Sequence, residues 1–324
     1  MDILTATTGI FPKIGGDAPS LRANLHKFDR EEISENEIEE IIQKNIERAV
    51  REQLDAGIDL PTDGLIRWTD LFSPFVKAWD GLTRRGIHRF YDTNTLYGEP
   101  VVEGELKFNP SHAASDFAIA QKAGAKKATL PGVFTFAAAC VDNFYQDEQK
   151  LRAVIAENLL KEAQALVEAG AEFIEIHEPE LGWNMEHETR SMKHEAINNE
   201  VVEIYSKFSK LHAKIVVVSY FRNFSQEIAN ALVEAGCGIG LDFSRPDKID
   251  SLPDGSILQA GVINSRETKL EQIGGEIADL KTIISKNFSN CEIIFSTTSH
   301  VEYLPHEIAL QKIALLKNFK ITFY

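Results

Sequence analysis

The run His177-Glu178-Pro179-Glu180 sets an imidazole beside two carboxyl groups within four residues. Imidazole and carboxyl together are a proton-transfer pair, because burial can bring both into the neutral range. Pro179 stiffens the segment, and strand alternation sends His177 and Glu178 to opposite sides. A hydrogen-bonded structural pair is the competing account of the same residues. Asp63 ends another apolar run, and the three residues His177, Glu178 and Asp63 are the expected catalytic groups.

Other apolar runs also end in polar residues: Thr7-Thr8-Gly9, Pro131-Gly132, Ser219-Tyr220, Asp242, Asn264 with Arg266, and Thr297-Thr298-Ser299-His300. Any single one reads equally well as a cap for the next helix. As a set they are candidates for binding a small molecule. His177 and Glu180, joined by Asp242 or His300, offer nitrogen and oxygen ligands, but their spacing matches no short metal motif, and no metal ligand is assigned in this chain. Nor does the chain contain GxGxxG after its first strand, GxxxxGK[ST] or GxSxG, so dinucleotide, P-loop and hydrolase-elbow chemistry lack their parts.

Such residues need a frame. Strand-like runs at 3–8, 58–63, 128–131, 172–177, 214–219, 238–242, 257–262 and 292–296 alternate with amphipathic stretches at 35–56, 149–169, 199–211, 225–235, 268–286 and 306–318. Ala56-Gly57, Ala169-Gly170 and Ala235-Gly236 repeat one junction, a helix ending on Ala, a left-handed Gly, then a strand. Eight strands with this alternation predict an α/β fold, a (β/α)8 TIM-type barrel, with the polar strand ends gathered at one mouth. No linker divides the chain, so 1–324 is expected as a single barrel. A long excursion after the second strand, about 68–112, carries the basic run Arg84, Arg85, His88 and Arg89 and a strand-like 100–108.

Composition narrows the partners. With 34 Lys and Arg against 49 Asp and Glu, the formal charge of −15 disfavours nucleic acid and anionic membranes. The three scattered cysteines fit a reducing compartment, and without an apolar stretch near 18 residues or a signal-like start the chain is expected in the cytoplasm.

Across nearly its whole length the sequence resembles the cobalamin-independent methionine synthase family, and its N-terminal barrel more than its catalytic barrel. The resemblance is carried by Gly9-Ile10-Phe11-Pro12-Lys13-Ile14-Gly15, Phe90-Tyr91-Asp92-Thr93-Asn94 with Tyr97, Leu130-Pro131-Gly132-Val133-Phe134-Thr135-Phe136, His177-Glu178-Pro179-Glu180-Leu181, Ser219-Tyr220-Phe221, Gly240-Leu241-Asp242-Phe243, Ala260-Gly261-Val262-Ile263-Asn264-Ser265-Arg266, and Ser296-Thr297-Thr298-Ser299 before Leu304-Pro305. The family's catalytic barrel is implied to hold zinc through a His-x-Cys pair, a Glu and a later Cys, and to activate homocysteine as a thiolate. Here Ser219 and Phe221 stand at the pair, Asp242 near the Glu and Ser299 near the last Cys. Ile10 and Leu65 stand where homocysteine-holding Ser and Glu are usual.

The resemblance therefore implies a free-standing counterpart of the N-terminal barrel: a methionine synthase component, or homologue, of methyltransferase type. It would take part in methyl transfer to homocysteine with a separate zinc-bearing catalytic barrel as partner, zinc on that partner, and folate or another methyl carrier as co-substrate. Lys13 and Arg22 are the nearest matches to residues that bind a folate tail. With Asp92, Asn94, Glu180, Tyr220, Asp242, Arg266, Ser299 and His300 they form the expected substrate-binding set. Two other readings stay open: a self-sufficient methyltransferase with a different acceptor or donor, and a non-catalytic ligand-binding barrel.

Overall fold

Helices that cover a sheet must be apolar along one stripe, and the sheet strands beneath them apolar throughout. Both patterns are realised in the computed structural model, which describes residues 3–183, 191–245, 249–272 and 275–323. In chain order the elements are β1 (Leu4–Thr8), α1 (Leu21–Asp29), α2 (Glu35–Asp55), α3 (Ser73–Ala78), β2 (Asp80–Arg89), β3 (Leu96–Lys107), α4 (Ala113–Ala123), β4 (Lys127–Pro131), α5 (Val133–Ala139) and β5 (Val141–Asp142). They continue with α6 (Glu148–Glu168), β6 (Phe173–His177), α7 (Pro179–Trp183), α8 (Ser191–Phe208), β7 (Lys214–Val218), α9 (Gln226–Glu234), β8 (Gly238–Asp242), β9 (Ile257–Ile263), α10 (Glu276–Asn287), β10 (Glu292–His300) and α11 (His306–Phe323).

Among the described residues, seven strands pair in parallel in the order β1-β10-β9-β8-β7-β6-β4, and the sheet curls as in a TIM-like barrel. Because all seven are parallel, their C-terminal ends lie at one rim, so His177, Asp242 and His300 reach the same rim from strands far apart in sequence. Helix α2 shows how the wall is held: Ile38, Ile42 and Ile46 repeat every four residues on its buried face. Burying each isoleucine contributes roughly 1.5–3 kcal/mol. A reciprocal Ser34–Glu37 capping box fixes the start of α2. The Ala-Gly junctions behave as the sequence predicts, with Gly57, Gly170 and Gly236 at φ of +84°, +97° and +83°.

Two sequence expectations need correction. The run 58–63 does not form a strand but makes a single bridge, Ala6 to Leu60. Pro61 has no N–H to continue a ladder. Asp59 and Leu60 both donate to the Thr5 carbonyl, while the Pro61 carbonyl accepts from Lys126 and Lys127, so the segment touches both outer strands of the sheet, β1 and β4, at isolated points. The helix expected from 268 begins at Glu276; Glu271 instead holds the preceding loop by accepting from Asn264 N (2.8 Å) and Lys312 Nζ (3.0 Å). Residues 273 and 274 of that expected helix lie outside the described residues.

After Asp63 the chain leaves the parallel sheet. Strands β2 and β3 pair antiparallel and form, with β5, a separate three-stranded sheet. The basic run is part of β2 and is largely neutralised: Arg84 lies 3.5 Å from Asp70, Arg85 3.0 Å and His88 3.2 Å from Glu99. No described helix is long and apolar enough to cross a membrane.

Candidate active site

Strand β6 carries the sequence Phe-Ile-Glu-Ile-His, and residues two apart on a strand share a face. Glu175 and His177 therefore point to the same side, into the barrel, where both are fully buried. His177 Nε2 lies 2.7 Å from Glu175 Oε1. A carboxylate only accepts, so Nε2 carries the proton, and Nδ1 lies 3.2 Å from Tyr220 Oη. The same hydroxyl lies 3.1 Å from His300 Nε2. Burial holds the His300 pKa well below the usual imidazole range, so its ring is neutral. Its Nδ1 is buried without a hydrogen-bond partner among the described residues, 4.0 Å from Glu302 Oε1.

Glu175 anchors this row. Its Oε1 also accepts from Gly9 N (3.1 Å), and its Oε2 from Lys127 Nζ and Gln259 Nε2 (2.7 Å). Burial opposes its ionisation, yet the Lys127 ammonium and the His177 hydrogen bond hold its carboxyl well below the usual carboxylate range. Lys127 also donates to Thr7 O at 2.6 Å, and burial lowers its pKa. Gly9 is required here: its φ is +65°, and a Cβ at this position would stand 2.9 Å from both imidazoles.

Glu178 takes no part in this row. It points to the start of α5, where Oε1 accepts from Thr135 N and Oγ1 (2.6 Å each) and Oε2 from Phe134 N (3.1 Å) and Tyr205 Oη. Burial outweighs these donors and pushes its pKa up to about 7. The structure thus separates His177 from Glu178 and joins His177 to Glu175 instead.

Asp63 is also buried, with Oδ1 unpartnered among the described residues, and burial next to Asp116 pushes its pKa up to about 7 from an ordinary value of 3.8. An acid whose folded pKa is raised stays protonated while the unfolded chain ionises, so its contribution falls as pH rises from about 4 to about 7 and then levels off. Asp63→Asn is expected to flatten this slope and to gain stability relative to the parent at pH 7.5 but not at pH 4. Thermal unfolding of both proteins across that range checks it; parallel curves would remove the assigned shift.

The expected substrate-binding residues fall into separate places. Tyr220 and His300 belong to the buried row. Glu180 accepts from Tyr91 Oη at 2.8 Å at the edge of a cleft beside the mouth. Asp242 accepts from Ser244 N (2.9 Å) and Arg266 (3.2 Å), and burial raises its pKa. Ser299 Oγ lies 2.8 Å from Ser265 Oγ. Lys13 donates to Trp68 O and lies 4.0 Å from Glu302; burial lowers its pKa. Arg22 is exposed on α1, and Asp92 and Asn94 are exposed in the turn between β2 and β3.

Sequence reasoning missed Glu175, Lys127 and Gln259. A charged residue two before His177 in an apolar run was the available signal. Also unforeseen was the aromatic cover. Phe90, at the end of the β2–β3 hairpin, lies 6.4 Å from Tyr220, 6.5 Å from Phe221 and 6.3 Å from His300 between ring centroids. Two of the cover residues occupy the left-handed region that non-glycine residues avoid, Tyr91 at φ +49° and Phe221 at +73°. Such a conformation costs on the order of 1–3 kcal/mol and survives only where the surroundings enforce it.

The zinc-ligand positions implied by the family resemblance do not suit zinc. Ser219 Oγ donates to Arg222 O at 2.5 Å, Phe221 has no donor atom, both oxygens of Asp242 accept hydrogen bonds, and Ser299 is bonded to Ser265. Among the described residues, no three His, Cys, Asp or Glu side chains converge as a metal site.

Comparison with known proteins agrees with this fold. The family described as cobalamin-independent synthase, N-terminal domain, matches residues 82–307, more than half of the chain. Methionine synthases of Saccharolobus solfataricus and Sulfurisphaera tokodaii are each 24% identical to it, over 98% of this chain and 94% and 92% of theirs. The structure of a B12-independent methionine synthase from Shewanella sp. W3-18-1 in complex with selenomethionine superposes with a TM-score of 0.81 at 19% identity, covering 98% of this chain and 96% of that one. A putative vitamin-B12 independent methionine synthase from Listeria monocytogenes gives 0.74 at 17% identity, with 100% and 99% covered. This chain belongs to the cobalamin-independent methionine synthase family and carries the family's N-terminal-type domain.

Proposed function

We propose that this protein is a methionine synthase component: a single cytoplasmic TIM-like barrel that takes part in methyl transfer to homocysteine together with a separate zinc-bearing catalytic barrel. The observation that carries the reading is the contrast at the mouth. The four positions expected to hold zinc are occupied by groups unfit for it or already bonded, whereas the Glu175–His177–Tyr220–His300 row is intact and enclosed. Zinc on the partner would supply the activated thiolate; a folate or other methyl carrier would supply the methyl group. This chain's own part is to bind at the mouth, to exclude water with Phe90 and Phe221, and to hold or move a proton along His177 and Tyr220.

Methionine formation from homocysteine and a methyl donor, assayed with the chain alone and with a zinc-bearing homologue from the same cell, tests the proposal. Activity is expected only in the mixture, with about one zinc per partner chain and none on this one by mass spectrometry, in keeping with a catalytic zinc held by three protein ligands and open to the thiolate. Turnover by the chain alone would replace this reading with that of a self-sufficient methyltransferase, which the enclosed His177–Tyr220–His300 row also favours. Absence of turnover in every combination would leave a ligand-binding barrel.

A further inference from the structure

Beside the mouth lies a cleft of about 230 Å³ whose walls include Phe90, Tyr91, Tyr97 and Trp183, with Arg89 and Glu180 also lining it. The rings meet steeply: Phe90 and Tyr91 at 81° with centroids 4.8 Å apart, Phe90 and Tyr97 at 83° and 6.1 Å, Tyr91 and Trp183 at 60° and 5.2 Å. A flat heterocycle is gripped between parallel walls. Walls set at these angles make a box instead, the shape that surrounds a compact, roughly spherical cation with ring faces. Size points the same way, since 230 Å³ is below the roughly 300–1,000 Å³ of pockets for larger ligands.

Charge supports a cation with an acidic end. The Glu180 carboxylate and the Tyr91 hydroxyl that donates to it form one edge of the box. Trp183 already receives a cation, the Arg222 guanidinium at 4.8 Å from its ring centroid. Arg89 is exposed and, unlike its neighbours Arg84 and Arg85, forms no ion pair among the described residues; it suits a carboxylate. We infer that the cleft binds a small zwitterionic onium carboxylate, a quaternary ammonium or tertiary sulfonium group in the aromatic box with its carboxylate on Arg89, as the methyl donor.

The donor role rests on the function proposed above; the binding does not. In transfer, the methyl C–N⁺ or C–S⁺ bond breaks and its electron pair stays on the departing amine or sulfide. The carbon forms its new bond to the homocysteine thiolate sulfur, so charge and atoms balance without oxidant or reductant.

Calorimetric titration of the intact chain with trimethylglycine, with dimethylsulfonioacetate and with 3,3-dimethylbutanoate tests the inference, because the last has the shape of trimethylglycine with carbon in place of N⁺. At least one onium compound is expected to bind about tenfold or more tightly than the carbon isostere, which lacks the cationic centre, as desolvated cation–π contacts require. Tyr91→Leu and Trp183→Leu are each expected to erase that preference, with circular dichroism showing the fold retained. Arg89→Gln should weaken trimethylglycine but not tetramethylammonium. Equal binding of the isostere, or no binding of either onium compound at millimolar concentration, overturns the inference without variants. If methionine forms from another donor while neither onium compound binds, the cleft assignment fails and the proposed function stands. If an onium compound binds selectively but no combination of chains makes methionine, the cleft assignment stands and the donor role falls with the proposed function.

Discussion

Lys127→Met is expected to destabilise the protein by about 3–5 kcal/mol, the usual cost of leaving one member of a buried ion pair uncompensated. Lys127 and Glu175 are both within the barrel and essentially without solvent contact. Removing the ammonium leaves Glu175 charged with only hydrogen bonds from Gly9, His177 and Gln259. The carboxyl must then take up a proton or draw in water, and either change disturbs the alignment of His177. The double variant Lys127→Met with Glu175→Gln is expected to recover a large part of the loss. Glutamine keeps an acceptor for Gly9 and His177, and its amide needs an acceptor where Glu175 met Gln259. Gln259 can supply one, because its Oε1 is buried without a partner among the described residues and an amide turn would present it. Denaturant unfolding of the parent, both single variants and the double variant reads the coupling directly. If the double variant is as unstable as Lys127→Met alone, the ion pair is not the source of the loss.

Much of the frame was legible because it depends on local rules. The apolar strand runs, the helix stripe on α2 and the Ala-Gly junctions each follow from periodicity or from the conformational freedom of one residue. The segment at 58–63 looked like its neighbours because apolar runs announce burial, whereas pairing depends on backbone N–H groups; Pro61 lacks one. Site residues at strand ends were legible for the same topological reason that gathers them: Tyr220 and His300 were expected at the mouth and belong to one row with His177.

The links between these residues were not legible. His177 and Glu178 are adjacent in sequence but lie on opposite sides of the strand end, and each finds its carboxyl, hydroxyl or amide partners on other strands and helices. Lys127 meets Glu175 across 48 residues of sequence, a contact set by the stagger of β4 on β6 and by side-chain length. The aromatic cover comes from a hairpin whose basic run reads as a charged surface. Only the folded register shows that Arg84, Arg85 and His88 are matched by acids while Phe90 is carried over the mouth.

Tyr220→Phe is expected to lower methionine formation by about 10²–10⁴-fold, the range for loss of a positioned proton-transfer group. The substitution removes one oxygen and keeps the ring that packs against Phe221, His177 and His300 at centroid distances of 4.8, 5.3 and 5.2 Å. Stability should fall by only about 1–3 kcal/mol, the cost of leaving buried polar groups unpaired. The oxygen matters because among the described residues it is the one atom within hydrogen-bond distance of both imidazoles, at His177 Nδ1 and His300 Nε2, so without it the row breaks in the middle. Two readouts separate this role from a strut. If the row carries a proton, the pH profile of the variant shifts together with its rate, and Tyr220→Phe matches His177→Ala in extent, because either change interrupts the same path. If the row merely braces the barrel, activity at a temperature well below unfolding stays at the parental level while the melting midpoint drops. The rate and the melt, taken on the same preparation with the zinc-bearing partner present, decide between them.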